Sequence, residues 1–221
     1  MKLPLFIIRF NQLRKEKRRL FVLLIILLIA FFIAGTITAI YVCRVYYIKT
    51  YGLVLTPTKD YEIHDIEYYL QNDPAWGDER LGRTDRRLAG AGCLIACVSS
   101  AATDLGVQVT PKELNQKLTE IDGFQGAELI WYKINEVYPE IDYKYSRIFR
   151  SATIEADLKS GLLPIINVKY KGDGITHWLL VIGAKDGEFL VYDPLNAERA
   201  PMKLSAHGRV YAYRVLIPST H

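Results

Sequence analysis

Acidic residues are nearly missing from the first sixty positions of this 221-residue sequence, and charge of either sign is missing from Leu20 to Val42. Ten Lys and Arg face only Glu16 and Asp60 in residues 1–60, a net charge of +8, whereas residues 61–221 carry a net −4. The basic balance therefore belongs to the N-terminal end. The remainder has no basic stripe interleaved with aromatics, which excludes a nucleic-acid partner. Cysteine is also scarce, at 43, 93 and 97. Cys43 ends the apolar run, and Cys93 and Cys97 share one predicted helix, so no disulfide framework is indicated. Internal repeats are absent.

What is present at the N-terminus is an uncharged run of Leu, Ile, Val, Phe and Ala, Leu20–Val42, roughly 30 Å long at helical rise and matched to a bilayer core. Lys2, Arg9, Arg14, Lys15, Lys17, Arg18 and Arg19 precede it, and only Arg44 and Lys49 follow closely. This asymmetry predicts a basic cytoplasmic segment 1–19, a transmembrane helix 20–43 and an extracytoplasmic remainder. Tyr41, Tyr46, Tyr47 and Tyr51 suit the outer interface of the lipid bilayer. The run is too long for the apolar core of a signal peptide, and no small-x-small cleavage site follows. A buried core helix is disfavoured because no polar face exists. Residues 44–60 read as a stalk, and 61–221 as one globular domain.

Within that domain, Gly90-Ala91-Gly92-Cys93 leads into an apolar helical run ended by Gly106. A cysteine at a helix start sits among unpaired N–H groups at the positive end of the macrodipole, which stabilises a thiolate. Thr110-Pro111-Lys112-Glu113 predicts a capped helix start, with Thr110 as cap and Glu113 returning to it. Asp122–Gly126 reads as a turn and Ala127–Tyr138 as a third helix with Leu129, Ile130, Ile134 and Val137 inward. Ile154–Ser160 reads as a short helix. Leu163–Tyr170, Trp178–Ala184, Glu188–Asp193 and Arg209–Ile217 read as strands. Helices first and a mainly antiparallel sheet second predict an α+β domain.

Two of those strands form a hairpin. With its turn centred on Lys185, His177 and Asp193 fall opposite one another on one face. The carboxylate would fix the imidazole, leaving the other ring nitrogen to take a thiol proton. From residue types alone, a cysteine such as Cys93 is more often a small buried hydrophobe and a lone histidine such as His177 more often a structural residue. Cys97, one turn below Cys93, reads as packing, since a zinc site would lack two ligands. His64, His207 and His221 read as solvated. Glu62, Asp65 and Glu67 read as a helix N-terminal charge cluster, not a metal site, and no cofactor is called for.

Taken together, Gln71…Asp73-Pro74…Trp76, Gly92-Cys93 heading a helix, Leu105-Gly106, Thr110–Asn115, Gly161…Pro164-Ile165-Ile166, His177-Trp178 and Asp193-Pro194 resemble the papain-like cysteine peptidases related to bacteriocin-leader-processing enzymes, family thirty-nine of the cysteine class. The resemblance covers about residues 68–217 and keeps the order Cys, His, Asp. It implies a papain-like fold with Cys93 as nucleophile, His177 as general base and then acid, Asp193 as orienting carboxylate, and a peptide or protein substrate. That family often has glutamine six residues before the cysteine, where this chain has Arg87, and Thr or Ser three residues after it, where this chain has Ala96. Gln71 is the candidate substitute for the oxyanion, beside the Cys93 N–H. Two other functions fit the same residues: an inactive peptide- or envelope-binding module, and a cell-wall amidase or acyltransferase.

Overall fold

A computed structural model describes residues 5–219, with side chains from residue 17 onward; Lys2 and His221 lie outside the described residues. The chain forms two compact units, Met1–Tyr46 and Tyr47–His221.

The first unit belongs to one helix, α1 (Leu5–Tyr51). Lys17–Tyr51 of this helix has a mean hydropathy of 3.1 in its most apolar window and is long and apolar enough to cross a membrane. Leu20–Val42 is exposed along its whole length and has no polar face. The helix runs beyond the 20–43 span, into the segment read as a stalk. That segment joins the second unit: Ile48, Gly52, Leu55 and Pro57 are buried, and Leu53 pairs with Val210. Apolar residues at 48, 53 and 55 give this stretch a reason to pack that its Thr and Pro content obscured.

The second unit is α+β. Three helices come first, α2 (Leu88–Ala91), α3 (Cys93–Asp104) and α4 (Pro111–Glu120). Then come the small hairpin β1 (Phe124–Gln125) and β2 (Glu128–Leu129), α5 (Lys133–Val137), β3 (Ile141–Tyr145), α6 (Ser151–Lys159) and five more strands. These are β4 (Pro164–Lys169), β5 (Thr176–Lys185), β6 (Glu188–Tyr192), β7 (Met202–Lys203) and β8 (Val210–Pro218). The main sheet is antiparallel in the order β3-β8-β4-β5-β6-β7. Its central strands are buried on both faces: Leu179, Leu180, Val181 and Ile182 of β5 are all fully covered. Helix α3 lies against β5, and Ile95 to Ala102 are buried without a break. A helix buried along most of its length and a strand with an apolar centre leave each other as the obvious partner.

The start of α4 is as the sequence predicts. Thr110 Oγ1 accepts from the Glu113 N–H, Glu113 returns to the Thr110 N–H at 2.9 Å, and Pro111 opens the helix. Thr110→Ala is expected to cost about 1 kcal/mol, measurable as a lower urea midpoint of the full chain in detergent with an unchanged slope.

Three expectations are corrected. The helix over 127–138 is only Lys133–Val137; before it the chain turns back at Gly126 (φ +62°), a conformation that lets Gln125 and Glu128 close a two-residue hairpin. Glu62, Asp65 and Glu67 start no helix, because Tyr61 and His64 bond instead to the backbone of Ala184 and Ile182. The β5–β6 turn is Asp186-Gly187, both at positive φ, not centred on Lys185.

Candidate active site

Beyond that turn the pairing shifts at a bulge between Val181 and Gly183, and Leu180 faces Tyr192. Continued past the end of β6, this register sets Asp193 beside Leu179, two residues from the expected partner. A shift of two keeps the same face. Asp193 accordingly reaches His177 diagonally, with Nε2 to Oδ1 at 2.7 Å. Both side chains are about 3% exposed.

The carboxylate is held from three sides. Its Oδ1 also accepts from the Leu195 N–H at 2.8 Å, and its Oδ2 lies 3.4 Å from Nε2 of His207. Burial works against its charge, yet the bonds from His177 and the Leu195 N–H, with the His207 ring beside it, hold the Asp193 carboxyl well below the usual carboxylate range. Burial likewise works against a charged His177, but the hydrogen bond to Asp193 and the nearby Cys93 outweigh it, and His177 is pushed from 6.5 up to about 9. His177 therefore contributes stability that is complete below pH 6.5 and lost as pH rises through about 9. The Asp193 contribution is present above pH 3.8 and lost as pH falls below it.

Cys93 is the first residue of α3, behind Gly92, and is 8% exposed. Gly92 is required by close approach: a Cβ there would lie 2.6 Å from the Leu88 carbonyl oxygen. One turn along α3, the Cys97 thiol donates to the Trp178 carbonyl at 3.4 Å. That contact fastens the helix beside β5 next to His177, and with Nε2 committed to Asp193, Nδ1 is the ring nitrogen available to the Cys93 thiol. Burial first, then the Cys93 and Asp193 charges, push the Cys97 thiol up. It is a closed packing residue, fully buried.

Cys93 and His177 line one cleft of about 680 Å³ together with Gln71, Arg87, Gly90, Leu94, Trp178 and Leu195. This volume suits a ligand of several residues or a small molecule. Gln71 is 4% exposed, donates Nε2–H to the Ala89 carbonyl at 2.7 Å, and takes the Pro194 carbonyl on its own N–H at 3.0 Å. The Asp193-Pro194 corner thus carries Gln71 into the cleft. Arg87 also borders the cleft, with its guanidinium turned to the Asp78 carbonyl and carboxylate. Among the described residues no group of three or more His, Cys, Asp or Glu is arranged to hold a metal.

Two histidines differ from their expected settings. His64 faces Asp104 at 3.7 Å. His207 is 1% exposed, in the second layer of the site. Its sequence setting, Ser205-Ala206-His207-Gly208, looks like a polar loop; only the fold of the turn after β7 brings it under Asp193.

With this geometry established, similarity can be weighed. No family model matches the chain, and no curated protein matches it. Among solved structures, a Bacillus anthracis protein provisionally described as a C39-like peptidase superposes with a TM-score of 0.53 at 10% identity, covering 74% of this chain and all of that one. The chain shares the fold of that protein. At this identity the likeness speaks to fold alone.

Proposed function

We propose that this chain is a membrane-anchored cysteine peptidase that hydrolyses peptide or related amide bonds outside the membrane, using Cys93, His177 and Asp193. The observation that carries the reading is the 2.7 Å bond between His177 and a buried, unprotonated Asp193, in the cleft that also holds Cys93 at a helix start. The shared fold with a C39-like peptidase supports it. The apolar helix with its basic N-terminal flank supports the anchor and an extracytoplasmic catalytic unit.

In this mechanism the Cys93 sulfur, its proton on His177, attacks the scissile carbonyl carbon, forming a C–S bond and an oxyanion. The oxyanion lies against the unpaired N–H groups of the first turn of α3 and the second amide N–H of Gln71, whose first is held by Ala89. Collapse breaks the C–N bond, and the imidazolium gives its proton to the leaving amine. His177 then takes a proton from water, whose hydroxyl adds to the thioester carbonyl and expels the sulfur. Asp193 keeps its charge throughout and supports the imidazolium.

The pH profile of peptide cleavage tests this assignment. His177 must be protonated to release the amine, so the alkaline limb is expected near pH 9. Asp193→Asn removes the supporting charge, and the limb is expected to move toward the ordinary histidine value of 6.5 with a lower kcat. An alkaline limb that stays in place in Asp193→Asn would contradict the role given to Asp193.

A further inference from the structure

His207 is buried, ionisable and unused by the mechanism above. Its Nδ1 accepts from the Lys171 N–H at 3.3 Å. That bond occupies the Nδ1 lone pair, so in the neutral ring the proton sits on Nε2, which faces Asp193 Oδ2 at 3.4 Å. Among the described residues Nε2 makes no hydrogen bond of good geometry: it is a buried, unsatisfied ring nitrogen with Asp193 Oδ2 3.4 Å away. Tyr170 packs against both histidines, with ring centroids 5.3 Å from His177 and 5.8 Å from His207, and the two imidazoles lie 6.2 Å apart, nearly parallel. Lys171 itself stands at φ +53°, a conformation an L-residue adopts at some cost. The turn Tyr170–Gly172 is therefore held in a shape that presents one N–H to His207.

From these contacts we infer that His207 is a positioning residue: its Nε2–H holds the second oxygen of Asp193, so that the first stays aimed at His177. The carboxylate has two oxygens, and Oδ1 is occupied by His177 and the Leu195 N–H. Without His207, Oδ2 is a buried charged oxygen with no side-chain donor, and the carboxylate can rotate or take up a proton. Either change weakens the imidazolium of His177. The titratable groups facing His207 are Asp193 on the β6 corner, His177 on β5 and Tyr170 on the intervening turn. The Lys171 N–H on Nδ1 leaves Nε2 as the nitrogen that donates, and the group it faces is the negatively charged Asp193 carboxylate. Lys171 contributes its backbone, with its ammonium over the outer Tyr170 ring at 5.3 Å.

This inference rests on the peptidase reading, and the test separates the two. His207→Asn retains an acceptor near the Nδ1 position for the Lys171 N–H but falls short of Asp193. His207→Gln retains a donor near the Nε2 position but not that acceptor. With the full chain in phospholipid vesicles and a fluorogenic peptide mixture, His207→Asn and His207→Ala are expected to lose about tenfold in kcat and to shift the alkaline limb down by about one pH unit, as for losing one charge-assisted hydrogen bond. His207→Gln is expected to recover most of both. If Asn restores the wild-type profile and Gln does not, His207 serves only to pin the Tyr170–Gly172 turn and the inference is overturned; unchanged kcat and limb in all three variants overturn it too. Should the alanine variant fail to fold, the Asn–Gln contrast still decides. A wild-type chain whose cleavage survives Cys93→Ala defeats the peptidase reading itself, independently of His207.

Discussion

Replacing Cys93 with alanine is expected to bring peptide hydrolysis below detection, a fall in kcat on the order of 10⁶-fold, since removing a covalent nucleophile leaves only what binding and oxyanion donors achieve alone. The substitution deletes one sulfur at the rim of the cleft, where Cys93 is 8% exposed, so the fold should persist. A thermal melt within a few degrees of wild type would establish this. The assay is release of fluorescence from a mixed peptide library by the full chain in vesicles. An inactive binding module would behave the same with or without the sulfur. A cell-wall amidase or acyltransferase would lose activity too. The acyltransferase is distinguished by its acceptor, an amine in place of water, seen as a heavier product in the mass spectrum, and the amidase by releasing water-hydrolysed product from cell-wall peptide and not from the library.

The second large effect concerns His177. His177→Ala removes both the base that takes the thiol proton and the acid that releases the amine, an expected loss of about 10⁴-fold. Because the two residues act as one unit, the Cys93→Ala, His177→Ala double variant should be no worse than Cys93→Ala alone. A loss in the double variant well beyond the larger single loss would mean that the two act in separate processes. His177→Ala also leaves Asp193 without its closest partner, so the variant should be less stable near neutral pH, where the wild-type pair is charged. Denaturant titration at pH 6 and at pH 10 reads this directly: the difference from wild type should shrink at the higher pH, where the His177 contribution has been lost.

The legible parts of this chain were those where local chemistry and tertiary packing agree. The apolar run of Leu20–Val42 was legible as a long helix, apolar enough to cross a membrane, because no charge interrupts it. The Thr110–Glu113 cap forms from neighbours in sequence, and the helix behind Cys93 is apolar enough to demand burial. The strands β4, β5, β6 and β8 were recognisable from their Val, Ile and Leu content, and their ends moved by a residue or two. Where long-range contacts decide, sequence spacing was insufficient. Residues 61–64 look free to start a helix until β5 offers them Ile182 and Ala184 to bond. The β5–β6 hairpin kept His177 and Asp193 on one face, but through an Asp186-Gly187 turn and a bulge that arithmetic on the sequence did not reveal. His207 carried no local signal, since its position under Asp193 is set by the turn after β7 and by the Lys171 N–H. Gln71 was suggested by its neighbours, and the Ala89 and Pro194 bonds give the physical basis for its position in the cleft.

The most direct measurement is the alkylation rate of each thiol by iodoacetamide at pH 6.5, followed by mass spectrometry on the intact chain carrying Cys43→Ser, because Cys43 is exposed. An ordinary thiol is only about 1% ionised at that pH. Rapid modification of Cys93, at least tenfold slower in His177→Ala, with Cys97 untouched in its closed packing, is the predicted result. Equal rates at Cys93 with and without the imidazole, or modification of Cys97 as fast as Cys93, would contradict a sulfur activated by His177 and Asp193.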